Sequence, residues 1–122
     1  MITKVILDFE TSGLNPYHDD IIEVAMKVMN SDKQFSKLIQ PKSNESISSE
    51  ISSLTGITNK MLHEEGIFWK EAYELINSWL FSLSNNNEKI SIISHNGESF
   101  DFIFLRRILN DLKKLGMKPF PL

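Results

Sequence analysis

Hydrophobic and polar positions in the first forty residues alternate with the two-residue period of β-strands. The apolar runs end at turn-forming Gly and Pro residues, and they predict strands over residues 3–9, 21–29 and 34–40. The connections between these strands are too short for a parallel crossover, so neighbouring strands are expected to pair antiparallel.

After residue 46 the apolar positions follow the spacing of helices. We predict a short helix over residues 46–58 with Gly56 as its cap, and longer helices over residues 70–83 and 99–115. A short buried strand over residues 89–94 separates the two longer helices. The order β-β-β-α-α-β-α predicts an α/β domain with a mixed β-sheet flanked by helices.

Composition narrows the class of protein. The 122 residues, of which 41% are hydrophobic and 24% charged, predict a single domain over residues 1–122. The absence of cysteine excludes a disulfide scaffold and a thiolate metal site. A formal charge of −3 excludes a nucleic-acid binder that works by bulk positive charge. No apolar run could span a bilayer and no signal-peptide pattern occurs, so we expect a soluble cytoplasmic protein without a membrane partner.

Two acidic residues lie at the end of the first predicted strand. Asp8 and Glu10 share one face of that strand, whereas Val5, Leu7 and Phe9 share the other and are expected in the core. Two adjacent carboxylates repel each other unless a cation lies between them, and oxygen ligands of this kind suit Mg²⁺ or Mn²⁺. The alternative is a solvated strand end with two ordinary acidic residues, which the spacing alone favours.

Asp101 lies in the first turn of the last predicted helix, in line with its apolar stripe. An unpaired carboxylate near a buried face is costly, although the helix dipole offsets part of that cost. Taken alone, Asp101 is therefore best interpreted as a helix-terminal residue that binds its own backbone. The polar turn before it joins a strand to a helix, which is where open α/β sheets place ligands. His95 in this turn either orients a substrate or caps the turn.

Other side chains have structural interpretations. Arg106 and Arg107 on the last predicted helix could touch phosphate, but a solvated helix face is the simpler interpretation. Trp69 and Trp79 lie on or near a helical stripe and are expected in the core rather than as base-stacking platforms.

Three segments together produce a family resemblance. Residues 8–14, Asp-Phe-Glu-Thr-Ser-Gly-Leu, and residues 95–101, His-Asn-Gly-Glu-Ser-Phe-Asp, lie on either side of residues 54–58, Leu-Thr-Gly-Ile-Thr, which Met61 and Leu62 follow. In this order and spacing they resemble the first motif, the second motif and the intervening Gly-Ile-Thr segment of the DEDD (DnaQ-like) 3′–5′ exonucleases. The three matches carry the resemblance together, and no one of them would carry it alone.

The resemblance implies a ribonuclease H-like fold and hydrolytic removal of nucleotides from the 3′ ends of single-stranded DNA or RNA. It implies two divalent ions, Mg²⁺ or Mn²⁺, held by Asp8, Glu10 and Asp101 as metal-binding and catalytic residues. It also implies substrate-binding residues, with Leu14 against the terminal base: Thr11, Leu14, His95, Asn96 and Phe100.

The third motif of that family, His-x-x-x-x-Asp, has no counterpart in this sequence. Asp111, the one carboxylate after Asp101, lies ten residues further along the predicted helix. That separation is roughly 15 Å, so Asp111 cannot join the site. We therefore expect a C-terminally truncated domain whose activity is weak or depends on a missing segment. The alternative is an inactive exonuclease-like module that binds nucleic-acid ends or a polymerase-like partner.

A truncated domain would expose apolar surface. The last residues, 116–122, are expected to leave bulky apolar side chains exposed at a terminus. Self-association into a homo-oligomer is one way in which the chain could cover such surface.

Overall fold

The computed structural model describes residues 2–84, 89–95, 97 and 100–121. These residues form a four-stranded sheet and four helices: β1 (Ile2–Thr11), β2 (Ile21–Val28), β3 (Gln34–Leu38), α1 (Ser49–Thr55), α2 (Asn59–Glu65), α3 (Trp69–Leu83), β4 (Lys89–Ile93) and α4 (Asp101–Lys114). The longest helix, α3, has 15 residues. None of the helices in this part of the chain is long and apolar enough to cross a membrane.

The sheet is mixed, as predicted. Its strand order is β3-β2-β1-β4, in which β1 pairs antiparallel with β2, β2 pairs antiparallel with β3, and β4 pairs parallel with β1. The register of β1 and β2 shifts at a bulge between Glu10 and Thr11. A bulge re-aims side chains at the end of a strand, and this one lies directly beside the two acidic residues of β1.

The helices after β3 differ from the prediction. Where one helix was expected over residues 46–58, α1 is shorter: the Ser48 side chain caps its start, and Gly56, with φ at 77°, ends it as predicted. A second helix, α2, follows and was missed; Thr58 caps it. It has seven residues with one buried side chain, Leu62, so it offers no apolar stripe that a periodicity argument could detect.

The main core lies between one face of the sheet and helices α3 and α4. Val5, Leu7 and Phe9 of β1 are buried in it, as the alternation predicted. The Phe9 ring packs edge-on against Phe104 of α4, with 6.3 Å between the ring centroids. Trp69 packs at the border of this core, which confirms its structural interpretation.

The other face of the sheet is covered less completely. A second, smaller cluster of buried side chains under α1 and α2 covers it near β2: Ile22, Ile47, Ile57 and Leu62. Along β1 and β4, by contrast, Ile2, Ile6 and Ile93 remain exposed. Ile6 and Ile93 are partners in the parallel register, so their side chains share this face.

The end of the described chain is fixed to α3. The buried Asn77 side chain donates from Nδ2 to the Lys118 carbonyl at 3.0 Å and accepts from the Phe120 N–H at 2.7 Å. The Phe120 ring is buried against Phe81, with 5.2 Å between the centroids. The expectation of exposed apolar side chains at the terminus is therefore wrong for Phe120, because Asn77 holds its backbone in the core.

Candidate active site

Four carboxylates lie together at the end of β1. Asp8 and Glu10 project from the less covered face of the sheet, and the antiparallel register places Glu23 of β2 directly opposite Glu10. Asp101, the first residue of α4, approaches the same end and interacts electrostatically with Glu10. The structure thus brings together the three predicted acidic residues and adds Glu23, which was not predicted.

Burial and neighbouring carboxylates raise the pKa values of Glu10 and Glu23. Partial burial and then the charges of Asp8, Glu23 and Asp101 raise the pKa of Glu10 above its ordinary value. Partial burial and then the charge of Asp8 raise the pKa of Glu23. A site that holds this much negative charge favours a bound cation, which relieves the repulsion.

Asp101 is the most buried member of the group, with 5% of its surface exposed. Burial raises the pKa of its carboxyl, the hydrogen bond donated by Ser94 Oγ lowers it, the charge of Asp8 raises it, and the Phe9 N–H lowers it. Since these two donors lie on β1 and on the turn after β4, the carboxylate fixes the start of α4 against the sheet. The sequence alone favoured hydrogen bonds from the backbone of the same helix to Asp101, whereas these two donors lie on other elements.

The predicted substrate-binding residues surround this end of the sheet in different ways. Thr11 is buried and donates from Oγ1 to the Gly13 carbonyl at 2.7 Å. Leu14 is 85% exposed, and His95 is also exposed. Phe100 is half-buried and packs edge-on against Phe104. Asn96 lies outside the described residues.

The loop from Ser12 to Asp20 is folded onto itself. Ser12 donates from its N–H to the Asp20 carbonyl, and its Oγ accepts from the Asp20 N–H, both at 2.8 Å. The Asp19 carboxylate accepts from the Asn15 N–H at 2.8 Å. A Cβ at Gly13 would clash with Oδ2 of Asp19, so this position requires glycine if the Asp19 bond is kept.

The donor set fits a divalent cation in its chemistry. As they stand, no three His, Asp or Glu side chains within the described part of the chain are arranged to hold a metal ion. Asp8, Glu10 and Asp101 nevertheless supply only oxygen ligands, which Mg²⁺ and Mn²⁺ prefer. The charges of Asp8, Glu23 and Asp101 add to burial in raising the pKa of Glu10, and a bound cation would relieve that repulsion.

Comparison with known proteins agrees with the geometry. The RNase_T exonuclease family model matches residues 5–121. The PolC-type DNA polymerase III of Thermotoga petrophila is 37% identical over 107 residues, which cover 85% of this chain and 7% of that protein. The 3′-5′ exonuclease DinG of Bacillus subtilis is 33% identical over 98 residues, which cover 75% of this chain and 10% of that protein. The chain therefore spans a tenth or less of the length of these relatives.

Solved structures give the fold. Escherichia coli Exonuclease I in complex with a dT13 oligonucleotide has a TM-score of 0.76 at 21% identity, over 98% of this chain and 25% of that chain. Exonuclease I of Methylocaldum szegediense has a TM-score of 0.74, also at 21% identity, over 89% of this chain and 23% of that chain. The predicted ribonuclease H-like α/β fold is confirmed. From the family match and the assembled carboxylates, the chain belongs to the RNase_T exonuclease family.

Proposed function

We propose that this chain is a metal-dependent 3′–5′ exonuclease domain that hydrolyses the terminal phosphodiester of single-stranded DNA or RNA. The observation that carries the proposal is geometric: Asp8 and Glu10 lie on one face of β1, and the Asp101 carboxylate at the start of α4 is held beside that strand by Ser94 and the Phe9 N–H. If Asp8 and Glu10 were only solvated residues at a strand end, a buried carboxylate from another element, Asp101, would not be expected beside them.

In this proposal Asp8, Glu10 and Asp101 hold Mg²⁺ or Mn²⁺. Two such ions, when bound, supply an activated water and stabilise the leaving oxygen. Asp101 is oriented before any ligand binds, because Ser94 and the Phe9 N–H fix its carboxylate. The Asp8 side chain is exposed and can turn toward a ligand.

The substrate is held by neighbouring residues. The backbone at Thr11 and the exposed side chain of Leu14 contact the terminal nucleotide, with Leu14 against its base. His95, Asn96 and Phe100 shape the pocket for that nucleotide. The net charge of −3 repels phosphate, so substrate binding depends on cations at the carboxylates. The similarity to PolC-type DNA polymerase III supports a polymerase as the partner of this module.

Turnover by these 122 residues alone is expected to be low. The proposed site lacks the His-x-x-x-x-Asp element that the family resemblance calls for. Asp111 does not replace it, since its carboxylate forms an ion pair with Lys42 at 2.7 Å. The alternative is an inactive module that binds nucleic-acid ends.

The test is trimming of a 5′-labelled single-stranded oligonucleotide with Mn²⁺, followed on a denaturing gel. We expect Asp8→Asn to slow trimming at least about tenfold, since it removes a metal ligand. Asp32→Asn, which removes one negative charge from an exposed position after β2, is the matched control and should trim like the original chain. Equal trimming by the Asp8→Asn variant contradicts the proposal. Oligonucleotide binding without any trimming, even at high Mn²⁺, identifies the inactive module instead.

A further inference from the structure

Arg107 of α4 contacts the loop between β1 and β2. Its Nη1 donates hydrogen bonds to the main-chain oxygens of Pro16 and Asp19, both at 2.7 Å. Its guanidinium also lies over the ring of the fully buried Phe104, 5.1 Å from the centroid. The solvated helix face expected from the sequence is therefore wrong for Arg107.

These two bonds fix the shape of the loop. Both acceptors are backbone oxygens, and they lie on either side of Tyr17 and His18 along the chain. A charged donor makes such bonds stronger than neutral ones, and half-buried carbonyl groups would be left without their donor if the guanidinium were removed. The loop has a second tie at its other end, where the Asp20 carboxylate accepts from the Ser43 N–H at 3.3 Å.

The fixed loop displays two large apolar side chains. Leu14 is 85% exposed and Tyr17 is 76% exposed. The loop begins directly after β1, the strand that carries Asp8 and Glu10. Proteins that bind single-stranded nucleic acid commonly stack bases on exposed aromatic side chains. Exposed apolar side chains on a braced loop beside the carboxylates are suited to that contact.

We propose that Arg107 is a positioning residue, which holds the Ser12–Asp20 loop in the shape that presents Leu14 and Tyr17 to a single strand. Tyr17 is then a second nucleotide contact beside Leu14. This inference rests on the proposed exonuclease function, because it takes the same single-stranded substrate.

Hydrogen exchange measured by mass spectrometry tests, without any substrate, whether Arg107 braces the Ser12–Asp20 loop. In Arg107→Met we expect amides of the Ser12–Asp20 loop to exchange roughly tenfold faster, because the loop opens more readily without its charged donor. Amides of α3 should be unchanged. Arg106→Met, which removes an exposed arginine from the same helix, is the matched control. Loop exchange equal in the two variants overturns the inference.

A general loss of stability in Arg107→Met would show as faster exchange in α3. Arg107→Lys then serves as the second variant, because it keeps the positive charge and the aliphatic stem over Phe104 but not the planar fork. A partial acceleration confined to the Ser12–Asp20 loop supports the brace, and no acceleration overturns it.

Binding of a fluorescent thymidine oligonucleotide, measured by anisotropy, tests whether the loop presents Leu14 and Tyr17 to a single strand. Ca²⁺ serves as the divalent ion, and a gel checks that the oligonucleotide stays intact. We expect Tyr17→Ala and Arg107→Met each to raise the dissociation constant about fivefold or more. The dissociation constant of the double variant should be close to that of whichever single variant binds more weakly, since both changes act on the same contact. Arg106→Met should bind as the original chain does.

The outcomes separate the two proposals. A loosened loop with an unchanged dissociation constant in Arg107→Met overturns the positioning role while the exonuclease proposal stands. An original chain that neither binds nor trims the oligonucleotide overturns the exonuclease proposal and the strand contact with it. Hydrogen exchange still decides in that case whether Arg107 braces the loop.

Discussion

The two faces of the sheet differ in what covers them, and β1 shows the difference within one strand. Val5, Leu7 and Phe9 point toward α3 and α4, and each is at most 4% exposed. Ile6 lies between the first two of these residues and is 42% exposed, and Asp8 after it is exposed as well. Side-chain alternation therefore gives this strand one face in the core and one face available for ligands.

The difference separates stability from function. The covered face gains stability from apolar burial. The open face carries Asp8, Glu10 and Glu23, whose mutual repulsion works against folding. Active sites commonly trade stability for ligand binding in this way. Changes on the covered face should thus be costly, and changes on the open face should be cheap or even stabilising.

The largest effect is expected on the covered face, from Phe104→Ala. Phe104 is fully buried and packs against Phe9 and Phe100. Its removal should lower the free energy of unfolding by about 3–5 kcal/mol, measured by urea denaturation. Phe68→Ala, at an exposed phenylalanine, is the control and should change it far less. A loss below about 1 kcal/mol at Phe104 would mean that α4 does not pack on the sheet as described.

The carboxylates of the open face predict how stability depends on pH. The pKa values of Glu10, Glu23 and Asp101 are raised in the folded chain. Above its ordinary pKa each group loses its proton in the unfolded chain while the folded chain still binds it. Stability from these groups is therefore complete below the ordinary values, 4.5 for Glu and 3.8 for Asp, and is lost as the pH rises through the raised values.

Glu23→Gln removes one of these negative charges and should therefore raise stability at neutral pH. Like charges opposite each other on paired strands are destabilising, so at neutral pH the variant should melt about 1–4 °C higher than the original chain. The difference should shrink as the pH falls toward 4.5, where Glu23 in the unfolded chain is half protonated. Melting curves recorded across this pH range measure it. An equal difference at every pH would show that repulsion is not its cause.

Local pattern predicted some of this site and could not predict the rest. Strand period alone predicts that Asp8 and Glu10 share a face. Asp101 was assigned to the site by the family resemblance, because its place in an apolar stripe alone favoured a helix-terminal residue. Glu23 was missed because its position depends on the register of β1 against β2. Arg107 was misinterpreted because its acceptors are backbone oxygens 88 and 91 positions away along the chain. Register and distant backbone contacts come from the tertiary fold, which periodicity does not contain.

The smallest effect is expected from Ile6→Thr on the open face. Val5→Thr, at the adjacent residue on the covered face, is the comparison variant. Both changes keep a β-branched side chain. Ile6→Thr should lower the free energy of unfolding by less than about 1 kcal/mol, since its side chain already meets solvent. Val5→Thr buries a hydroxyl without a partner and should cost about 1–3 kcal/mol. Equal costs in urea denaturation would show that something covers Ile6 in solution. A midpoint that then rises with protein concentration would identify a second copy of the chain as that cover, because only self-association makes stability depend on concentration in this way.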